Sequence, residues 1–272
     1  MNIICCMLFV CMATLLCKGQ TNEPITVDVA PAPSARFPSS WYPPDNDVTY
    51  TTAPQRNAPY VGTLVTTFHV ANSASGEVKV LSQSTKQARD SAGRTRTEEV
   101  RPRPDGHGGV VQAHEVEVSD PVSHCSFRWM EPWIAPGKAE ATVTCMPRTV
   151  HYNQQNIYAD SIVSEPKEVH SVNTVDRYEP LGKRQMDNLE AVGVRHTRTR
   201  TNAQTGEVLS MVIEMWYSPE LKEMLEMDFI PHAKDKAEES QLPSFKLTNI
   251  SREEPNPALF YPPAGYEIAP GH

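Results

Sequence analysis

Residues 207–217 read EVLSMVIEMWY. In an extended strand Leu209, Met211, Ile213, Met215 and Tyr217 share one face, and Val208, Ser210, Val212, Glu214 and Trp216 share the other. The first face is apolar throughout and predicts burial. The second is mixed, so it is partly wet or covers something. The run at 223–230 repeats the logic, with Leu225, Met227 and Phe229 on one side.

The same period recurs along most of the chain. Tyr60, Leu64, Phe68 and Val70 face one way, and Thr63, Thr67 and His69 the other. Further runs are predicted at 77–88, 94–100, 110–118, 122–129, 141–150, 168–178, 192–202 and 244–252. Turn chemistry separates them: Asn-Ser-Ala-Ser-Gly at 72–76, Asp-Ser-Ala-Gly at 90–93 and Asn-Ala-Gln-Thr-Gly at 202–206. About eleven short runs with turns between them predict a mainly β fold, a curved antiparallel sheet or incomplete β-barrel with few short helices. Only Pro219–Leu225 and Asn256–Phe260 have the makings of a helical turn.

Two cysteines lie within this β-rich stretch. Cys125 and Cys145 are equidistant from residue 135, and Pro-Trp-Ile-Ala-Pro-Gly at 132–137 reads as the loop between two strands. Antiparallel pairing about that midpoint sets Cys125 opposite Cys145, Phe127 opposite Val143 and Trp129 opposite Ala141. Directly opposed side chains need only a modest adjustment to form a disulfide. A zinc site built from His124, Cys125, Cys145 and His151 is the rival. Consecutive strand residues such as His124 and Cys125 point to opposite faces, which argues against it.

Upstream the composition changes. Residues 21–59 hold eight prolines and no glycine. Each proline removes a donor and fixes φ, so this segment is expected to be an extended arm, free or laid on the domain surface through Trp41 and Tyr42. Residues 3–17, IICCMLFVCMATLLC, form an apolar run shorter than the roughly 20 residues a membrane span needs, with Cys17 and Gly19 placed for cleavage. The expected organisation is a signal peptide over 1–19, a Pro-rich arm over 20–59 and a β-rich half-barrel over 60–272. The expected location is the periplasm or the exterior. Thr14-Leu15-Leu16 lacks the small residue wanted before a lipid-modified cysteine, which argues against an anchor at Cys17. Export also favours the Cys125–Cys145 bond, since the other four cysteines fall in the leader.

The formal charge of -8 disfavours a nucleic-acid partner. No second apolar segment is long enough to cross a bilayer, so no transmembrane span is expected in the mature chain. No G-x-S-x-G elbow, phosphate-binding glycine loop or H-E-x-x-H pair occurs, and Asp45-Asn-Asp47 lacks the rest of a calcium loop. Neither cofactor nor metal is called for. His107 in Asp105-Gly-His-Gly-Gly109, or His114, would serve a hydrolase only with a nucleophile and a carboxylate beside it. Arg94 and Arg96 share one strand face, as do Arg198 and Arg200. If those strands adjoin they could bind phosphate or carboxylate; otherwise they pair with Glu98, Glu99 and other acids.

Trp216-Tyr-Ser-Pro-Glu-Leu221, Phe245-Lys-Leu-Thr-Asn-Ile250, Glu254-Pro-Asn-Pro-Ala-Leu-Phe260 and Pro263-Ala-Gly-Tyr266 come in succession. This close resembles that of the LolA-like periplasmic proteins, the lipoprotein-carrier and outer-membrane lipoprotein-sorting superfamily. The resemblance covers roughly 60–268 in pattern. It implies an incomplete antiparallel barrel around an apolar cavity for acyl chains. The family's early helix has no counterpart here, because residues 21–59 are too rich in proline. The expected function is non-catalytic: binding of an apolar ligand, lipid, lipoprotein or envelope protein. Met211, Ile213, Met215, Leu225, Met227 and Phe229 are the expected lining. The alternative is a structural or protein-interaction module whose core is filled by its own side chains.

Overall fold

The computed structural model describes residues 37–42, 49–71, 78–134, 137–147, 150–153, 157–230 and 242–271. The predicted signal peptide lies outside the described residues, as do most of the arm, Asp45-Asn-Asp47 and the turn at 72–76. The strands are β1 (Thr49–Thr52), β2 (Tyr60–Ala71), β3 (Val78–Arg89), β4 (Thr95–Pro104), β5 (Val110–Asp120), β6 (Cys125–Glu131), β7 (Glu140–Cys145) and β8 (Val150–Asn153). They continue with β9 (Lys167–Ser171), β10 (Thr174–Met186), β11 (Leu189–Thr201), β12 (Val208–Ser218), β13 (Glu223–Ile230), β14 (Ser244–Ser251) and β15 (Glu267–Pro270).

Thirteen of them form one sheet in the order β15-β7-β6-β5-β4-β3-β2-β14-β13-β12-β11-β10-β9. The fold is mainly β, and the sheet is curved and unclosed, as the alternation predicts. Every pairing in it is antiparallel except that of β15 with β7. β1 and β8 pair in parallel as a separate two-stranded sheet. β1 occupies the one stretch between Pro44 and Pro54 without proline, so it keeps its donors.

The structure departs from the predicted single strand at 168–186. One strand over 168–178 was expected; the chain instead turns at 172–173, and β10 runs on to Met186. Pro180 and Gly182 hide this second half, because both disfavour a regular strand. The ladder accommodates them by slipping register between the two. The hairpin then closes through Asp187 and Asn188, both in the left-handed region at φ 45° and 64°. A single helical turn at Ile157–Ser161 was not predicted, whereas the expected turn near 256–260 is a 3-10 segment, Pro257–Phe260.

Three apolar clusters cover the sheet. The first joins Val116, Val118, Phe127, Trp129, Ala141 and Val143 with Phe37 and Phe260. Here the arm lies against the domain: Phe37 stacks on Trp41 with ring centroids 5.5 Å apart, and the Tyr42 hydroxyl donates to the Ser123 carbonyl at 3.2 Å. The second gathers Tyr60, Met186, Leu189, Ala191, Trp216, Leu221, Leu225 and Leu247. The third contains Tyr178, Val194, Ile213, Met215, Tyr217 and Met224. Buried Arg89 ties β3 to the turn before β13. Its Nε donates to the Ala58 carbonyl at 3.0 Å, one terminal nitrogen pairs with Glu223 at 2.9 Å, and the other donates to the Leu221 carbonyl.

Cys125 and Cys145 form the expected disulfide, with S–S 2.07 Å and Cα atoms 4.0 Å apart. The register is the predicted one, Cys125 facing Cys145 and Phe127 facing Val143.

Candidate apolar binding face

β12 and β13 bring most of the predicted lining together. Met215 pairs with Met227 and Ile213 with Phe229, so period-two alternation stacks these four on one face. Ile213 and Met215 are buried in the third cluster, while Met211, Met227 and Phe229 pack against it half-buried. Phe245, opposite Met227 on β14, joins them. Sequence reasoning missed Phe245 as a lining residue; its signal was its place at the head of an apolar-alternating strand.

Leu225 goes elsewhere. It is buried with Trp216, Leu221 and Leu247 in the second cluster. The reason is a register slip between Trp216 and Tyr217 that leaves Leu225 without a partner between Met224 and Glu226. Met224 and Met227 are three residues apart, and strict alternation would send them to opposite faces. The extra residue lets both reach the third cluster.

Part of this face is covered from within the chain. Ala159, Ile162 and Val163, in and just after the short helix, pack on the third cluster. At its border Tyr178 stacks on His196 at 4.5 Å, nearly parallel. His196 Nε2 lies 2.7 Å from Asp176, which also accepts from Arg198 at 2.7 Å. Burial pushes the His196 imidazole below its ordinary range against the pull of Asp176. The Asp176 carboxyl is held down because the hydrogen bonds from Arg198 and His196 outweigh its own burial. The border is therefore polar and internally satisfied.

An open groove of about 430 Å³, which shares Phe245 with this face, is lined by Val65, Thr67, Glu226, Asp228, Ser244, Phe245, Lys246 and Thr248. None of the six predicted residues lines it. Burial first, and Glu226 beside it, push the Asp228 carboxyl up. Burial opposes the Glu226 charge too, but hydrogen bonds from Arg184 and Lys246 hold that carboxyl down.

The other candidates resolve into structural roles. Arg94 pairs with Asp90, Arg96 with Glu98 and Arg198 with Asp176. β4 and β11 are not neighbours in the sheet, so these arginines do not converge. His114 Nδ1 lies 2.7 Å from Glu98, and His107 sits in a loop whose backbone N–H groups at His107 and Gly109 donate to Asp105. Among the described residues no serine, threonine or cysteine side chain is hydrogen-bonded to either ring. Cys125 and Cys145 are committed to their bond, and no cluster of metal-ligating side chains occurs among the described residues. No described helix is long and apolar enough to cross a membrane.

No family model and no curated protein matches the chain. Among solved structures it is similar to a candidate lipoprotein from Parabacteroides distasonis at 12% identity and a TM-score of 0.25, over 75% of this chain and 100% of that one. It is also similar to a DUF1329 family protein from Desulfovibrio piger at 11% identity and a TM-score of 0.19, over 75% of this chain and 90% of that one.

Proposed function

We propose that this chain is a non-catalytic, exported protein of the cell envelope that holds an apolar ligand, an acyl chain of a lipid or lipoprotein, against the β12–β13 face. The observation that carries this reading is the half-buried state of Met211, Met227, Phe229 and Phe245 beside the fully packed Ile213 and Met215. Methionine and phenylalanine are adaptable and flat, so together they accept apolar partners of varied shape. The disulfide and the LolA-like close of the sequence support an oxidising, envelope setting. Residues 1–19 then serve as the leader, 20–59 as the arm and 60–272 as the binding domain.

Native mass spectrometry of protein isolated from its own envelope tests this directly, since a co-purifying lipid is expected. Displacement of an apolar fluorescent probe gives the residue-level test. Phe229→Asp and Met227→Asp each place a charge on the face and should weaken probe binding about tenfold or more. Unchanged probe affinity in both variants, with no lipid in the native spectrum, would overturn the reading. The alternative, a structural module with a filled core, draws on the coverage already given by Ala159, Ile162 and Val163. It predicts an empty protein and no probe binding.

A further inference from the structure

The unclosed sheet ends on two strands, β15 and β9. Every residue of β9 is exposed, and among the described residues no strand pairs with its outer edge. An open edge carries unpaired N–H and C=O groups and is a template for a further strand. At the opposite margin β15 ends on Pro270, which has no N–H to give.

The register tells which backbone groups of β9 are free. The Asn173 carbonyl accepts from the Thr201 N–H at the start of the β10–β11 ladder, so it points away from β9. Carbonyls alternate sides along a strand, which turns Thr174 towards its partner Ser171. Val169 and Lys167 point the same way as Ser171, into the ladder with β10. Glu168 and His170 therefore direct their N–H and C=O groups outwards.

This edge complements itself. An antiparallel pairing with β9 of a second copy must match outward residues with outward residues, and the register of longest overlap is centred on Val169. It sets Glu168 of each chain opposite His170 of the other, and both pairs exchange their two backbone hydrogen bonds. Registers centred on Glu168 or on His170 would set each of those residues against its own kind. The two side chains already attract within one chain, where His170 Nε2 lies 2.7 Å from Glu168. The Glu168 carboxyl is held below its ordinary range, first by the hydrogen bond from Arg177. The same register brings Val169 onto Val169 of the second copy. Val172, 98% exposed in the β9–β10 turn, meets Pro166 of the second copy, where the missing N–H ends the ladder.

We infer that β9 is the contact of a reversible homodimer, in which two copies join antiparallel, edge to edge, about a two-fold axis through Val169. A five-residue edge is small beside the roughly 800 Å² that each partner buries in a standard interface, so the dimer forms and parts with concentration. Val169 lies across from Asp176, on the face that carries Tyr178 and the third cluster. A two-fold normal to the sheet keeps faces on their sides, so the β12–β13 faces of both copies look the same way from one continuous sheet. The dimer does not rest on the ligand reading of that face, and either can fail alone.

The test uses the chain isolated from its own envelope, with no ligand added. Sedimentation velocity should show the mass double as concentration rises through about 10–100 µM. Amide hydrogen exchange over the same range should slow severalfold at Glu168 and His170 and stay unchanged at Val169 and Ser171, whose N–H groups already serve β10. His170→Glu sets acid against acid twice and should weaken association about tenfold or more. Glu168→His combined with His170→Glu restores the match and should recover it. His170→Pro removes only an outward N–H, so the chain should keep its far-ultraviolet spectrum and stay monomeric. The inference is overturned by a monomer mass up to about 1 mM, by a dimer indifferent to His170→Pro, or by a swapped variant as weak as His170→Glu. Concentration-dependent assembly beyond two copies also overturns it, since β9 would then seat on β15 of the next chain.

Discussion

Gly193 shows how closely single residues are fitted. It pairs with Trp216, and a Cβ built at 193 would lie 2.6 Å from the indole ring. On its other side the ring meets the Arg184 guanidinium, 3.9 Å from the ring centroid, and Arg184 in turn pairs with Glu226. The indole is held between backbone and cation. Gly193→Ala should destabilise the fold by about 1–3 kcal/mol through overpacking, and Trp216→Leu in the same chain should recover part of that loss in urea unfolding. Glu98 is a second such point. Burial opposes its charge, but hydrogen bonds from Lys86, Arg96 and His114 prevail and hold its carboxyl at about 2. A carboxyl held down in the folded state contributes stability above the unfolded value, near 4.3, and loses it as pH falls towards 2. Acid unfolding followed by circular dichroism should therefore steepen between about pH 4 and pH 2 in the native chain and be flatter there in Glu98→Gln.

Among elements, the β6–β7 hairpin depends most on covalent help. Its disulfide closes a separation of 20 residues, and opening a loop of that size should cost roughly 3 kcal/mol in the chain-entropy picture. Cys125→Ser with Cys145→Ser should lower the urea midpoint by a matching amount while the far-ultraviolet spectrum stays β-rich. This hairpin was legible from residue numbers alone, because two cysteines equidistant from a Pro-Gly loop fix a register. The β12 face was legible too, since nothing interrupts its alternation. The second half of β10 was not, and of β13 the span was legible but its register against β12 was not. Pro180 and Gly182 look like a strand end, yet a register slip absorbs them. The slip opposite Trp216 leaves no local mark in the sequence, because it arises from how two strands are matched, and it alone moves Leu225 out of the predicted lining. Asp187-Asn188 could have been read as a two-residue turn from the tolerance of both residues for positive φ.

For the molecule as a whole, the first cluster draws on β3, β5, β6 and β7, whereas the second and third share β10 to β13. The disulfide sits in the first, and the candidate binding face belongs to the third. Reducing the Cys125–Cys145 bond should thus lower stability and leave affinity for an apolar probe unchanged under conditions where the chain remains folded; a parallel loss of both would show that the clusters communicate.

The mooring of two distant stretches of chain has a mechanical consequence. Phe37 packs on Phe127 of β6, and Glu267–Pro270 is zipped in parallel to β7. Stretching the molecule between residues 37 and 270 would route tension through the cross-linked β6–β7 flank, and β9 through β13 would sit outside the force path like slack cloth beyond a clamped hem.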